Sequence, residues 1–281
     1  MSVGLKITGI LAACLAVGGL AGYWTTAEPD TLTFLSVGQG DCAVFRSAGV
    51  TVLIDTGPRT PTFDAGEKIV VPKLRAMGVE SVDLVLLSHP DLDHVGGLGA
   101  IKRAYPNLKV GVSGDFRGFP AMEKALDAGG VIDDQVIWLG PENVSQVGSF
   151  TFRLECPHWK AGEPDNDGSM FIRVSNNTSS AVLSGDASSV AEAIEAPQIN
   201  WSAQVLKAGH HGSKSASSEV WLETVHPKYD VISCGRNNPY GHPHKVVLDR
   251  LAADHIQALR TDQVGDIEFK STPDGFEPVS H

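Results

Sequence analysis

Short apolar runs alternate with amphipathic stretches along the chain from residue 31 onward. Runs of Val, Ile, Leu and Phe bounded by glycine or polar residues predict buried strands, and apolar positions at helical spacing predict helices. The predicted strands are 31–37, 42–47, 51–57, 82–88, 108–113, 135–140, 150–155, 170–175, 181–186, 203–207 and 229–235. The predicted helices are 67–78, 98–105, 189–196, 217–225 and 245–255. Because no low-complexity linker interrupts this alternation, it predicts a single α/β domain over residues 28–281.

An uncharged apolar segment near the start of the chain separates Lys6 from Glu28. A positive residue followed by such a run predicts a secretory signal peptide over residues 1–27. The run is also close to the length of about 20 residues that a membrane-spanning helix needs, so a single anchor through residues 7–24 is the alternative. The string LAAC adds a lipoprotein cleavage site as a further alternative, and a buried helix is the last. All but the buried helix predict an extracytoplasmic protein, whether periplasmic, secreted or anchored facing outward.

The formal net charge of −11 argues against a broad basic surface for nucleic acid. It does not exclude a nuclease, because carboxylates that hold metal ions count as negative here but are neutralised in the site. The four cysteines form no CxxC pair, so a cysteine-based metal site is not expected. Cys42, Cys156 and Cys234 are predicted to be small core residues, with one disulfide and an odd thiol as the alternative. The tryptophans are predicted to serve in packing, with a base-stacking platform as the alternative.

Three polar motifs each follow a predicted strand. Their candidate metal ligands are His89, Asp91, Asp93 and His94 in HPDLDH, Asp186 in LSGD, and His210 and His211 in KAGHHGS. Burying so many unpaired charges would be too costly without a positive partner. Strands that lie side by side would bring the motifs to one edge of a sheet. The sequence therefore predicts a two-metal site, against the alternatives of turn carboxylates and solvated loop histidines.

Further polar candidates lie in the loops beside these motifs. Asp41 follows the first strand in GQGD, where glycines would let the backbone approach a substrate closely, and a plain hairpin-turn aspartate is the alternative. Asn238 and His242 in NPYGHPH are candidates to hydrogen-bond a phosphate oxygen or to protonate a leaving group. The candidates to pair with phosphates are Lys207, Lys214 and Arg236, for which a solvated surface position is the alternative.

The order of these motifs resembles the metallo-β-lactamase superfamily, whose signature is HxHxDH on a loop after a strand. More narrowly, FLSVGQGDCAVFRS, TVLIDTG, HPDLDHVGG, LSGD, LKAGHHGSK and ISCGRNNPYGHPH resemble the extracytoplasmic hydrolase domain of ComEC-type DNA-uptake proteins, over about residues 31–270. The resemblance implies an αββα sandwich of two mixed sheets flanked by helices. We expect the hydrolase domain to stand alone behind a leader, so a role in DNA import does not carry over automatically.

The resemblance also implies how the metal ligands are shared. Asp186 would bridge two divalent ions, with His89 and Asp91 on one ion and Asp93, His94 and His210 on the other, and with His211 as the rival to His210. Asp91 replaces the second histidine of the signature, which shifts the preference toward Mn²⁺ or Mg²⁺ relative to Zn²⁺. Asp167 in NDGS is the candidate for the next ligand position. Asp55, after LI in LIDTG, resembles a position that orients a ligand histidine.

Taken together, these features predict an exported metal-dependent hydrolase, foremost a phosphodiesterase or nuclease that acts on DNA through a water activated by two ions. Asp93 and Asp186 would be central to catalysis. One alternative is an exported hydrolase of a lactone, β-lactam or thioester, against which Asp91 and NPYGHPH count. Another is a non-catalytic nucleic-acid-binding module, against which the complete ligand set counts. No protein partner is predicted, and the acidic balance predicts weak non-specific DNA binding.

Overall fold

The computed structural model describes residues 30–279. The predicted signal peptide or anchor of residues 1–27 lies outside the described residues. Within residues 30–279, no helix is both long enough and apolar enough to cross a membrane.

Fifteen strands in the described residues form two mixed sheets. In chain order they are β1 (Thr31–Phe34), β2 (Ala43–Ser47), β3 (Val50–Ile54), β4 (Leu84–Leu86), β5 (Lys109–Ser113), β6 (Val136–Leu139), β7 (Glu142–Val147), β8 (Phe150–Glu155), β9 (Phe171–Ser175), β10 (Ser180–Leu183), β11 (Val205–Lys207), β12 (Tyr229–Ile232), β13 (Gln257–Arg260), β14 (Ile267–Thr272) and β15 (Gly275–Pro278). The first sheet has the order β15-β14-β1-β2-β3-β4-β5-β6, and the second has the order β13-β12-β11-β10-β9-β8-β7.

Each sheet combines an antiparallel part with a parallel part. In the first sheet β14, β1, β2 and β3 are antiparallel neighbours, whereas β3 to β6 run parallel. In the second sheet β7 to β10 are antiparallel neighbours, and β10 to β13 run parallel. Parallel neighbours need crossover connections, and helices supply most of them here.

The helices flank the sheets on their outer faces. They are α1 (Val71–Ala76), α2 (Leu92–Val95), α3 (Leu98–Ala104), α4 (Pro120–Gly129), α5 (Ser189–Glu195), α6 (Glu219–Val225), α7 (Lys245–Ala253) and α8 (Thr261–Val264). One apolar core lies between the two sheets and includes Phe45 and Phe152. A second core packs α1, α3 and α4 on the first sheet, and a third packs α5, α6 and α7 on the second. This is the αββα sandwich that the resemblance implied.

The predicted elements agree with most of the structure. The predicted helix 67–78 begins with a π-helical turn, Gly66–Val70, before α1. Helices α2, α4 and α8, strands β7 and β13, and the C-terminal hairpin of β14 and β15 were not predicted. Cys42, Cys156 and Cys234 are buried free thiols, which confirms the core assignment and excludes a disulfide among them.

The strands that precede the polar motifs lie in both sheets. Strands β10 and β11, which lead to Asp186 and to the two histidines, are parallel neighbours in the second sheet, as predicted. Strand β4, which leads to HPDLDH, belongs to the first sheet, so the expectation that all three strands lie side by side was wrong. The motifs meet instead where the carboxyl end of β4 in the first sheet faces the carboxyl ends of β10 and β11 in the second.

Candidate metal centre

Four buried side chains from different segments lie close together where the motifs of the two sheets meet. One ligand atom from each of Asp41, His94, Asp186 and His211 lies within 4.8 Å of the others, and all four residues are buried. We call this group the buried quartet. Asp41 comes from the loop after β1, His94 from α2, Asp186 from the loop after β10, and His211 from the turn after β11.

His94 is held by a carboxylate behind it. Its Nδ1 lies 2.8 Å from Asp55 Oδ2, and because an ionised carboxylate only accepts hydrogen bonds, the proton is on Nδ1. Ser88 fixes the same carboxylate, since its N–H donates to Oδ1 over 2.8 Å and its hydroxyl donates to Oδ2 over 2.8 Å. His94 Nε2 is thereby directed at Asp186 Oδ1, 3.2 Å away. A ligating histidine usually has this arrangement, with its other N–H donated to a carboxylate or carbonyl.

His211 is held in the same way by a backbone carbonyl. Its Nδ1 donates to Ser233 O over 3.0 Å, so Nε2 faces Asp93 Oδ2 at 3.2 Å and Asp186 Oδ2 at 3.4 Å. His210 and His211 have φ values of +46° and +56°. Consecutive non-glycine residues in the left-handed region are rare and cluster at functional sites. The turn allows both imidazoles to reach the site from one short segment.

His210 approaches Asp186 from the solvent side. Its Nε2 lies 3.6 Å from Asp186 Oδ2, and its side chain is 32% exposed. Its Nδ1 accepts from the Asn166 amide over 3.4 Å, which leaves the proton of a neutral ring on Nε2. The structure therefore places His211, rather than the first choice His210, in the buried quartet.

His89 and Asp91 lie next to the quartet. His89 is fully buried, and its ring centroid is 4.2 Å from that of His94. Its Nδ1 is 3.0 Å from the Ser88 hydroxyl, and its Nε2 is 3.5 Å from Asp91 Oδ2. Asp91 is 45% exposed, so this pair forms the outer part of the candidate site.

Several buried polar atoms of the site have no hydrogen-bond partner. They are Asp41 Oδ1, His89 Nε2, His94 Nε2 and Asp186 Oδ1. Unsatisfied buried polar atoms are rare and costly, and a cation at the buried quartet would supply a partner for those of Asp41, His94 and Asp186. The donors are imidazole nitrogens and carboxylate oxygens, a set that suits Mn²⁺, Zn²⁺ or Mg²⁺. The residues present therefore fit a divalent metal ion.

Lys207 lies in the protein interior against two carboxylates of the quartet. Its side chain is 2% exposed, it forms an ion pair with Asp41, and its Nζ is 3.8 Å from Asp186 Oδ1. Burial alone would lower the pKa of Lys207, but the charges of Asp41 and Asp186 raise it above its ordinary value. The expectation that Lys207 contacts a phosphate was wrong, because the ammonium is enclosed and already paired.

Mutual charges set the protonation of the quartet. Burial alone would lower the pKa of His94 and His211, but the Asp186 carboxylate, with Asp55 for His94 and Asp41 for His211, raises both well above their ordinary value. Burial alone would raise the pKa of Asp186, but His211 and His94 hold it well below its usual range. In the absence of a metal ion the carboxylates are thus ionised and the two imidazoles hold an extra proton, which a metal ion would displace, because it binds carboxylate and neutral imidazole.

Close backbone contact positions Asp41. Gly40 has a φ of +148°, and a Cβ there would collide with the carbonyl oxygen of Asp93. The Asp41 N–H donates to that same oxygen over 3.2 Å. The GQGD glycine thus lets the loop pack directly against the HPDLDH segment.

The loop that contains NPYGHPH forms the outer wall. His242 Nδ1 accepts from the Gln39 amide over 3.3 Å, so a neutral His242 carries its proton on Nε2. Burial and the charges of His211, His210 and His244 lower the pKa of His242 to about 4. Asn238 donates to Gly235 O and His242 O, over 3.0 and 2.7 Å, and accepts from the N–H of His242 over 2.9 Å. Its amide therefore shapes the loop, which corrects the expectation that it contacts a phosphate.

Residues 35–236 match the sequence profile described as the metallo-beta-lactamase superfamily. The chain belongs to this superfamily. It is 31% identical over 285 residues to ComE operon protein 3 of Bacillus subtilis (strain 168), covering 95% of this chain and 36% of that protein. It is 32% identical over 262 residues to competence protein ComA of Neisseria gonorrhoeae, covering 92% of this chain and 35% of that protein. The chain thus spans about a third of the length of these relatives, and the resemblance predicted from the motifs is confirmed.

Solved structures show the same fold at low sequence identity. The metallo-beta-lactamase fold protein YhfI from Bacillus subtilis aligns with a TM-score of 0.54 at 13% identity, covering 82% of this chain and 96% of that one. CmlA, a diiron beta-hydroxylase from Streptomyces venezuelae, aligns with a TM-score of 0.59 at 14% identity, covering 88% of this chain and 55% of that one.

The superfamily position assigned to Asp167 is not part of the quartet. Its Oδ1 accepts a hydrogen bond from the N–H of Ser188, which precedes α5, over 3.2 Å. Two residues of the same segment that sequence reasoning missed are nearer the site: Asn166 contacts His210, and Asp165 lies close to Asp91 and His89. Burial and the charge of Asp91 raise the pKa of Asp165, and His89 lowers it. In the sequence, this segment was indicated only by Asp167, which was named as a candidate metal ligand.

Lys214 and Arg236 are exposed residues near the outer wall. The backbone N–H of Lys214 donates to His244 Nδ1 over 3.1 Å, and Arg236 Nε donates to Asp262 O over 2.8 Å. Both cationic side chains are accessible to an anionic ligand in solution.

Proposed function

We propose that this protein is a metal-dependent phosphodiesterase that cleaves DNA. The observation that carries the proposal is the buried quartet with its unpartnered ligand atoms. A metal ion held by such ligands can activate water for hydrolysis, and the exposed cations Lys214 and Arg236 favour an anionic substrate.

We propose that two divalent ions, Mn²⁺ or Zn²⁺ with Mg²⁺ as a further candidate, bind at the site. The quartet would hold them together with His89, Asp91 and Asp93, and His210 would join once its ring proton is moved from Nε2 to Nδ1, where the Asn166 amide now donates. Bound divalent ions lower the pKa of water and withdraw charge from a phosphoryl oxygen. The carboxylate at Asp91, in place of an imidazole, supports the harder ions.

The protein's own residues prepare the site for this chemistry. Asp55 and Ser233 O hold His94 and His211 with Nε2 directed inward. Lys207 balances the charge of Asp41 from below. His242 is neutral at pH 7, so its Nε2–H is suited to donate a hydrogen bond to a phosphate oxygen rather than to deliver a proton as an imidazolium.

DNA is the proposed substrate because the relatives include a competence protein, ComA, and Recombination protein 2 of Haemophilus influenzae, which is 32% identical over 80% of this chain. The proposed location is outside the cytoplasm. It rests on the apolar segment that follows Lys6.

The test is a cleavage assay on the full chain, purified free of metal and supplied with Mn²⁺, Mg²⁺ or Zn²⁺. Substrates are single-stranded and double-stranded DNA, and bound metal is counted by mass spectrometry. We expect metal-dependent cleavage that Asp186→Asn abolishes and that Asp274→Asn, an exposed carboxylate in the β14–β15 turn, does not affect. Stoichiometric metal without cleavage would reject the nuclease and direct attention to lactones and thioesters. Absence of bound metal would reject the metal site itself.

A further inference from the structure

An exposed tyrosine lies on the outer wall of the site. Tyr240 is 63% exposed, and its ring stacks on His242 with centroids 5.6 Å apart and an angle of 25° between the planes. The sequence had raised tryptophan as a base-stacking platform. Trp201 and Trp221 are instead fully buried, and Trp159 is 6% exposed. Among the exposed large apolar side chains of residues 30–279, Tyr240 is the one aromatic.

The tyrosine is connected to the buried quartet through aromatic rings. The centroid of His242 lies 5.7 Å from that of His210 and 6.3 Å from that of His211. Tyr240 is thus two ring contacts away from a quartet histidine. A nucleotide whose phosphate lies at the quartet would bring its own base, or the base of its neighbour, within reach of Tyr240.

The surroundings of Tyr240 suit a phosphate backbone. Arg236 is exposed in the same loop, and exposed Lys214 is tied to His244, two residues beyond His242. On a chain of net charge −11, one exposed cation thus precedes Tyr240 by four residues in its own loop, and a second belongs to the segment that is hydrogen-bonded to that loop. A groove for single strands combines these two features, cations for phosphates and aromatic rings for bases.

We propose that Tyr240 stacks on an unpaired base next to the phosphate that is cut, so that the substrate is single-stranded nucleic acid. This inference rests on the proposed phosphodiesterase function. A base within a duplex is covered on both faces by its neighbours, whereas an unpaired base offers a face to a side chain. Stacking is tolerant of sequence, so no base preference is required.

The test measures binding and cleavage with the metal-loaded full chain. The probes are a fluorescein-labelled oligothymidylate of about ten nucleotides, its duplex with oligodeoxyadenylate, and an abasic strand of the same length. Fluorescence anisotropy at the earliest time points reports binding before cleavage can shorten the labelled strand. The variants are Tyr240→Ala, Tyr240→Leu, which keeps apolar bulk without a ring, and Tyr240→Phe. The matched control is Ile132→Ala, which is 61% exposed and precedes β6, an edge strand of the first sheet, whereas Tyr240 follows β12 of the second sheet.

We expect Tyr240→Ala and Tyr240→Leu to weaken oligothymidylate binding by roughly fivefold to one-hundredfold. Tyr240→Phe and Ile132→Ala should remain within about twofold of the native protein, and the abasic strand should bind all forms alike. Tyr240-dependent binding without cleavage would support this inference while rejecting the nuclease. An equal loss for the abasic strand, no loss at all, or equally Tyr240-dependent binding of the duplex would overturn it.

Discussion

Lys207 and Asp41 form an ion pair that is almost entirely closed off from solvent, with Lys207 2% and Asp41 6% exposed. The Lys207 ammonium pairs with Oδ2 of Asp41. The other, Oδ1, has no hydrogen-bond partner and lies 3.4 Å from His211 Nδ1. The pair thus allows a charged aspartate to be buried while one of its oxygens stays available to the quartet.

Replacing Lys207 should lower the free energy of unfolding, because the Asp41 carboxylate would remain buried without its counter-ion. In Lys207→Met the Asp41 carboxylate loses its counter-ion, and removal of one partner of a buried pair costs about 3–5 kcal/mol. We expect the free energy of unfolding of the metal-free protein to fall by this amount in urea denaturation. The control Lys245→Met removes an 84% exposed lysine paired with Asp249 and should cost no more than about 0.5 kcal/mol.

Metal addition gives a second readout on the same variant. A divalent ion at the quartet supplies positive charge to Asp41, so Mn²⁺ should raise the urea midpoint of Lys207→Met more than that of the native protein. Equal stability of the two metal-free proteins would show that the ion pair does not support the fold.

The parts of the site that follow buried strands were predictable from the sequence. Apolar strands such as β4, β10 and β11 have a strong local signal, and the ligand motifs come directly after them. Asp55 was predicted only through the superfamily resemblance. The fold class likewise came from the order of motifs rather than from periodicity, because pairing between distant strands leaves no local pattern.

Other features depend on contacts that the chain makes only when folded. Nothing local distinguishes Lys207 from a surface lysine, since its burial results from the approach of Asp41 from the other sheet. The sequence of β4 likewise predicts a buried strand but does not indicate which of the two sheets contains it. Asn238 was misassigned because an amide that satisfies its own loop and one that faces a ligand look alike in sequence.

The two neighbouring histidines should differ in their contribution to metal binding. His211 is buried with Nε2 directed inward, whereas His210 is 32% exposed and its Nδ1 accepts from Asn166. We expect His211→Asn to reduce Mn²⁺ affinity at least about tenfold more than His210→Asn, a difference of about 1.4 kcal/mol. Competition with a chelating dye measures both. His226→Asn, an exposed histidine before the amino end of β12, should leave the affinity unchanged. The reverse ranking would return the ligand position to His210.

A buried carboxylate outside the site should make stability depend on pH. Asp230 on β12 is fully buried, and both its oxygens lack a hydrogen-bond partner. Burial raises its pKa to about 8, with the charge of Lys207 opposing the shift and that of Glu192 adding to it. The folded state therefore favours the protonated acid more than the unfolded chain does, whose value is near 3.8.

Because the folded pKa of Asp230 is raised, its contribution to stability is fully present below about pH 4 and is lost as pH rises toward 8. Asp230→Asn keeps the shape of the side chain but cannot ionise. We expect this variant to match the native protein near pH 4 and to become progressively more stable relative to it as pH rises toward 8, by roughly 1.4 kcal/mol for each pH unit over which the unfolded chain ionises Asp230 and the folded protein does not. Urea denaturation across this pH range measures the difference. Asp254→Asn, at an exposed aspartate after α7, is the control for the loss of one carboxylate. If native protein and Asp230→Asn share one pH profile, Asp230 is not the group whose ionisation weakens the fold.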